Sequence, residues 1–408
     1  MEKKIIKWVL ILLVFTLAIG CSRLSKEENS MQYRQLGTTG LKVSEISLGC
    51  GAFKDMSKEE AIAYMDVAID SGINYIDLYD ANPTVRDNIG YAIAGRRDKM
   101  QIQGHIGTCW VNGQYKRTRD VAETKAGFED MLKRLGTDFI EVGMIHITDS
   151  PEQWKELENS EFLDYVYQLK KEGKIKHIGV SSHNAEVALM AAKSGIVEVI
   201  MFSLNPAFDR LNAGTIPWEE GAFDNLQKGI DPIRVELYDY CSQHNIAITV
   251  MKAFGGGGRL LNKETSQLGI EFTPIQCISY CLSKPCVASV HVGADNIEEL
   301  LTDLYYFHAT DEEKEFTLST SNTDNTKLGD CVYCHHCQPC PKQIDIVKIN
   351  YLLDKYFQEG LTQELQDEYD ALDKHASDCI HCGACEERCP FDVPIQERME
   401  MAIEIFGK

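Results

Sequence analysis

The chain has 408 residues, 44% of them hydrophobic, which is enough for one large domain and a small one, each with a core. Its formal net charge of −21 at pH 7 excludes nucleic acid and anionic lipid as general partners, because both would repel the average surface. A basic partner protein suits it better.

Residues 1–21 read as a signal peptide. Lys3, Lys4 and Lys7 precede an apolar run from Trp8 to Ile19, shorter than the ~20 residues a spanning helix needs. The stretch Leu17-Ala-Ile-Gly-Cys21 is similar to a bacterial lipobox, which makes Cys21 the expected lipidation site and residues 22–30 a polar tether. The mature protein is then expected on the exported side of a bacterial cell membrane, held by its lipid anchor. The twin-arginine signal that exports folded proteins is missing, and a start at Met31 would give a cytoplasmic protein instead.

From residue 31 to about 310, short β-rich runs alternate with amphipathic helical stretches. Predicted strands are Ile46–Cys50, Tyr75–Tyr79, Met100–His105, Ile140–His146, His177–Ser182, Val197–Leu204, Ile246–Lys252 and Val287–Val292. Helices are expected at Lys58–Asp70 after the capping box Ser57-x-x-Glu60, at Asp120–Arg134 before Gly136, and at Pro151–Lys171 before Gly173. Eight such units predict an α/β fold, a closed (β/α)8 TIM barrel, with Tyr33–Glu45 as a hairpin plug turning at Gly37 and Gly40. A doubly wound sheet is the alternative.

Chemistry in a barrel belongs at the C-terminal strand ends, so Asp77, His105, His146, Ser181, Ser182, Asn205 and Lys252 are expected to face one mouth. Gly255 and Gly256 open a glycine run after the seventh strand that could admit a phosphate, or serve as a plain flexible loop. Trp110 and the basic Lys116–Arg119 fall in a long loop after the third strand, placed as a lid or as a contact for an anionic substrate. Tyr79 is the one phenol that the sequence sets near Asp77.

After a linker at 311–325, the segment 326–408 carries two tight cysteine runs. They are Cys331, Cys334, Cys337 and Cys340 before Pro341, then Cys379, Cys382, Cys385 and Cys389 before Pro390. Three thiolates of a C-x-x-C-x-x-C loop wrap one corner set of a [4Fe–4S] cubane, and the cysteine before proline comes from the other run. Cys331, Cys334, Cys337 and Cys389 are thus expected to hold one cluster, and Cys379, Cys382, Cys385 and Cys340 a second. Zinc usually takes two separated pairs, and disulfides every third residue have little room to form. Apolar residues at helical spacing over Ile344–Phe357 and Leu361–His375, broken at Gly360, predict a two-helix spacer. His335, His336 and His381 stand beside ligands, placed to tune the clusters. Cys50, Cys109, Cys241, Cys277, Cys281 and Cys286 have no metal spacing and read as buried small hydrophobes.

The order of several motifs is similar to that of aldo-keto reductases. They are Tyr33–Ser44, Gly72–Asp77, the strand ending at His146, Lys174–Ser181 and Val290–Asn296. With the trailing cysteine runs, the chain resembles the group of that family that carries a C-terminal 2[4Fe–4S] ferredoxin-type domain. The resemblance implies an oxidoreductase acting on a small-molecule substrate, with a tetrad of aspartate, tyrosine, lysine and histidine and with NAD(P)H as cofactor. Asp77 and His146 match that tetrad, but Asn82 stands for the tyrosine and His105 for the lysine, and an amide is no general acid near neutral pH. Met201, Ser182 and Asp295 depart from the cofactor pattern, which weighs against NADPH. The expectation is an enzyme passing electrons through two [4Fe–4S] clusters, from a redox partner or low-potential donor, with Asp77, His105 and His146 handling protons. The rival is a non-catalytic electron carrier whose barrel is a docking scaffold.

Overall fold

The computed structural model describes residues 30–219, 221–224, 226–227, 229–316, 331, 337–389 and 393–408. The expected signal peptide, Cys21, His335, His336 and Cys334 lie outside the described residues.

The described chain opens with a hairpin, β1 (Tyr33–Gln35) antiparallel to β2 (Lys42–Ser44). Gly37 in its turn sits at φ +56, and a Cβ there would stand 2.5 Å from the carbonyl oxygen of Asn245, so no side chain fits where the turn meets the barrel. Leu36 and Val43 are fully buried and join Tyr75, Val142, Val199, Ala247 and Ala288 in an apolar cluster inside the barrel. The hairpin is the floor plug the sequence predicts.

The remaining strands are β3 (Ile46–Gly49), β4 (Tyr75–Leu78), β5 (Gln101–Ile106), β6 (Thr108–Val111), β7 (Gln114–Arg117), β8 (Ile140–Ile145), β9 (Ile175–Ser182), β10 (Val199–Ser203), β11 (Ala247–Met251) and β12 (Val287–Val292). Apart from β6 and β7, they close a barrel in chain order, β12 returning to pair in parallel with β3. All eight predicted barrel strands are present. The loop expected after β5 is instead an antiparallel hairpin, β6–β7, turned by Asn112 at φ +53 and Gly113 at φ +76. Two consecutive left-handed residues are what a two-residue hairpin turn of matching twist demands.

Helices wrap the barrel. α1 (Lys58–Asp70) starts with the predicted capping box, the Ser57 hydroxyl accepting from the Glu60 N–H at 3.2 Å and the Glu60 carboxylate accepting from the Ser57 N–H at 2.8 Å. α2 (Pro83–Ile93) is capped by Asn82, and α3 (Val121–Leu135) runs from Asp120 to a left-handed Gly136. The expected helix Pro151–Lys171 is two helices, α4 (Pro151–Leu157) and α5 (Glu161–Lys171). Ser160 takes extended backbone and its hydroxyl accepts the Leu163 N–H, so it caps a new start and interrupts the run. α6 (Ala185–Lys193), α7 (Pro232–Gln243), α8 (Pro274–Leu282), α9 (Ile297–Leu304) and the short α10 (Asp311–Lys314) complete the coat. Phe316 still belongs to the barrel core, edge-on to Tyr280 at 5.0 Å, so that core reaches past residue 310.

The tail has its own core. α11 (Ile346–Glu359), α12 (Gln363–Asp370), α13 (Ala384–Glu387) and α14 (Ile395–Phe406) bury Ile349, Leu352, Leu353, Tyr369, Met399 and Ala402 together. α12 is shorter than the predicted Leu361–His375. Past Asp370 the chain folds back, and the Tyr369 hydroxyl accepts the Ala376 N–H at 3.0 Å and donates to the Lys408 carbonyl at 2.8 Å.

Candidate active site and cysteine cavity

Strand alternation decides which side chains enter the barrel. In β4 Tyr75 and Asp77 point inward while Ile76 and Leu78 join the core under the helices; in β5 Gln103 and His105 alternate with Ile102 and Ile106 in the same way. His146 follows β8 directly, its N–H bound to the Ile106 carbonyl at 3.0 Å. Asp77, His105 and His146 border a cavity of about 1070 Å³ that is also lined by Ser181, Lys252, Tyr79, Tyr115, Arg117 and His183.

The predicted set is only partly assembled there. Ser182 directly follows Ser181, and two consecutive strand residues cannot both face inward; its hydroxyl instead bonds Asp149 and the Asn184 carbonyl. Asn205 turns away from the cavity, accepting the Ala207 and Phe208 N–H groups and donating to the Lys252 carbonyl at 2.9 Å. Gly255 packs against Leu260, whereas Gly256, Gly257 and Gly258 line the cavity wall. Lys252 sits at φ +65 with its ammonium pushed down by burial, against the pull of Asp77.

Asp77, His105 and His146 form one hydrogen-bonded file. Asp77 Oδ1 lies 3.0 Å from His105 Nε2, and His105 Nδ1 lies 2.6 Å from His146 Nδ1. Gln103 also donates to Asp77, at 2.7 Å. Burial opposes the Asp77 charge, but the His105 ring with its hydrogen bond, then His291 and the Gln103 amide, outweigh it and hold the carboxyl below the usual range. Burial, His105 and the guanidinium groups of Arg119 and Arg117 push His146 well below the ordinary imidazole value, so its ring is neutral at pH 7.

The file has a further member that sequence reasoning missed. The Tyr115 hydroxyl is hydrogen-bonded to His146 Nε2, and the two rings meet edge to face at 6.0 Å. Tyr79 lines the same cavity, but among the described residues its hydroxyl has no hydrogen bond. The phenol that matters therefore comes from the hairpin, and Asn112-Gly113, the strongest short-range hairpin signal, was the clue to it. The basic residues next to it are committed locally: Lys116 pairs with Glu123 at 2.6 Å, and Arg119 donates to the His146 and Ile147 carbonyls and stacks on Phe162. A second carboxylate–histidine pair, Asp149 and His183 at 3.0 Å, stands beside them.

In the tail, Cys340, Cys379, Cys382 and Cys385 line one small cavity, with Arg388 at its edge. This is the quartet expected from the spacing. Four thiolates around one cavity are the donor set of a [4Fe–4S] cubane, one per corner, so these residues fit that group. Arg388 ties the two runs together, donating to the Cys337 and Pro339 carbonyls at 2.7 and 3.0 Å. The His381 N–H approaches the Cys379 sulfur at 3.4 Å. Cys331, Cys337 and Cys389 pack on the same core, but the first quartet includes Cys334 and so reaches outside the described residues.

Known proteins match both regions. Residues 45–217 fit the aldo/keto reductase family and residues 373–395 the 4Fe-4S binding domain. The barrel is an aldo/keto reductase domain. An oxidoreductase of Bacillus subtilis, YqkF, described as uncharacterized, is 28% identical over 316 residues, covering 72% of this chain and 98% of that protein. The protein tas of Escherichia coli is 23% identical, covering 68% of this chain and 93% of its own length. The aldo-keto reductase AKR11C1 of Bacillus halodurans, in its holo form, superposes with a TM-score of 0.55 at 24% identity over 70% of this chain and 94% of its own, a likeness of fold. The chain is thus an oxidoreductase that joins an aldo/keto reductase domain to a 4Fe-4S ferredoxin-type domain.

Proposed function

We propose that this oxidoreductase passes electrons between two [4Fe–4S] clusters in the tail and a small-molecule substrate at the barrel mouth. The observation that carries the reading is the cavity of about 1070 Å³ bordered by Asp77, His105 and His146. It has the size of a substrate site and a few converging polar groups on a largely apolar wall, whereas a docking scaffold needs no such space. Bound at the eight cysteines, the clusters supply low-potential single electrons from a redox partner. The barrel's residues do the rest. Asp77 orients His105, and the imidazoles hold and move the proton that a reduced substrate takes up.

NADPH does not fit as the resemblance would have it. Asp295 and Glu299 line the cavity, and carboxylates repel a nucleotide phosphate. Met201, where a nicotinamide-binding glutamine is expected, offers a sulfur already 3.4 Å from the Gln103 amide. The proposed location is the membrane surface, through a lipidated Cys21.

Anaerobic purification of the full chain tests the function, with iron and sulfide analysis and identification of any small molecule that co-purifies. About eight irons, visible absorption that bleaches on reduction and turnover driven by a low-potential donor are expected. Zinc without sulfide, or brisk NADPH oxidation with simple aldehydes by cluster-free protein, overturns it.

A further inference from the structure

Resting on the proton-handling role just assigned to the mouth, we propose that Tyr115 is the catalytic group that hands the proton to the substrate, as the outer end of a relay loaded at His105. The directions of the hydrogen bonds carry this. The Gln103 oxygen accepts from Tyr75 at 2.7 Å and Thr249 at 3.2 Å, so its amide nitrogen must face Asp77 at 2.7 Å and His291 Nε2 at 3.4 Å. Asp77 is then a fixed acceptor, and His105 must present Nε2–H to it. That leaves His105 Nδ1 facing His146 Nδ1 at 2.6 Å, a gap that holds one hydrogen and no more.

Two arrangements satisfy these bonds. In the unloaded one, His146 Nδ1–H donates to His105 Nδ1, and Tyr115 O–H donates to His146 Nε2. In the loaded one, His105 carries hydrogen on both nitrogens against the Asp77 carboxylate and donates to His146 Nδ1; His146 Nε2–H donates to the Tyr115 oxygen, and Tyr115 O–H is free to aim into the cavity. The two differ by one proton. Delivery breaks the Tyr115 O–H bond as the substrate–H bond forms, moves the His146 Nε2 hydrogen to the Tyr115 oxygen and the His105 Nδ1 hydrogen to His146 Nδ1. No electron moves in this step, and the relay ends in the unloaded arrangement.

The surroundings favour a shuttled proton over a stored charge at the mouth. Arg117, Arg119 and His183 face His146 and disfavour a cation there. Burial, then Asp80 and Cys109, outweigh Arg117 and Arg119 and disfavour a phenolate at Tyr115, whose hydroxyl is pushed up to about 12. The Asp77 carboxylate, 3.0 Å from His105 Nε2, is the anion that faces the loaded ring, with His291 and Lys252, both pushed down by burial, behind it.

Nitrogen-15 histidine spectra of the holoprotein with oxidised clusters, taken from alkaline to acidic pH, test the relay without a substrate. His146 is expected to stay neutral yet move its hydrogen from Nδ1 to Nε2 as the file takes up its proton, and Tyr115→Phe, which removes the hydroxyl that fixes Nε2, to blur that exchange. The same variant is expected to lose ~10²–10⁴-fold in turnover with cluster reduction unchanged. A His146 that keeps one tautomer throughout, or full turnover in Tyr115→Phe, overturns the relay. Tautomer exchange in a wild type that turns over nothing supports the relay and overturns the electron-transfer reading instead.

Discussion

Two buried carboxylates in the same barrel domain, Asp77 and Asp209, have opposite fates. Asp209 is fully buried, takes hydroxyl hydrogens from Tyr238 at 2.5 Å and Tyr280 at 2.6 Å, and faces the Arg234 guanidinium at 3.5 Å. Its partners hold their protons across the physiological range, both phenols being pushed well above their ordinary value by burial and then by Asp209 itself. Asp77 is as deeply buried, but its partner is an imidazole and its file opens on a cavity. Burial and hydrogen bonds hold both carboxylates. What separates a structural site from a chemical one is a partner that can change its proton and a route out.

Substitutions should divide along that line. Asp77→Asn should lower turnover ~10²–10⁴-fold with cluster reduction unchanged; an active variant would mean that the file is structural after all. Asp209→Ala should lose about 3–5 kcal/mol in denaturant unfolding, because it leaves Arg234 buried without its partner. Tyr280→Phe should lose about 1.5–3 kcal/mol, the worth of one hydrogen bond to a charged group, with turnover intact. The Asp77 carboxyl is held low when folded, so its contribution to stability is present above its unfolded value and is lost as pH falls through the folded one. Asp303 runs the other way. Burial, then Glu299, push its carboxyl up to about 7, so ionising it costs stability as pH rises from the ordinary carboxylate value through that point. Asp303→Asn should therefore be more stable than wild type by up to about 4 kcal/mol at alkaline pH, and no more stable in acid.

The barrel was legible because eight apolar runs each ended in polar residues, and alternation within them placed Asp77, His105 and His146 correctly on the inner face. Ser182 was misplaced by ignoring the same alternation, since its neighbour Ser181 already pointed inward. The break between α4 and α5 turned on one serine cap inside an otherwise periodic run. Tyr115 was hidden for a different reason. Its place depends on the register of β6 against β7, in which Tyr115 pairs with Trp110, and on how the hairpin leans over the mouth, which no local pattern encodes. In the tail, Cys340, Cys379, Cys382 and Cys385, grouped by their spacing, line one cavity.

The hairpin plug has a consequence for orientation. The chain reaches the barrel at its floor, with Tyr33 in β1 beneath strands whose other ends carry the mouth. An anchor at Cys21, on a tether of residues 22–30 that spans roughly 30 Å when extended, would draw the floor toward the bilayer. The mouth and its hairpin would then look outward into the aqueous phase, so substrates would arrive from solution, and a hydrophobic compound dissolved in the lipid would meet the closed end.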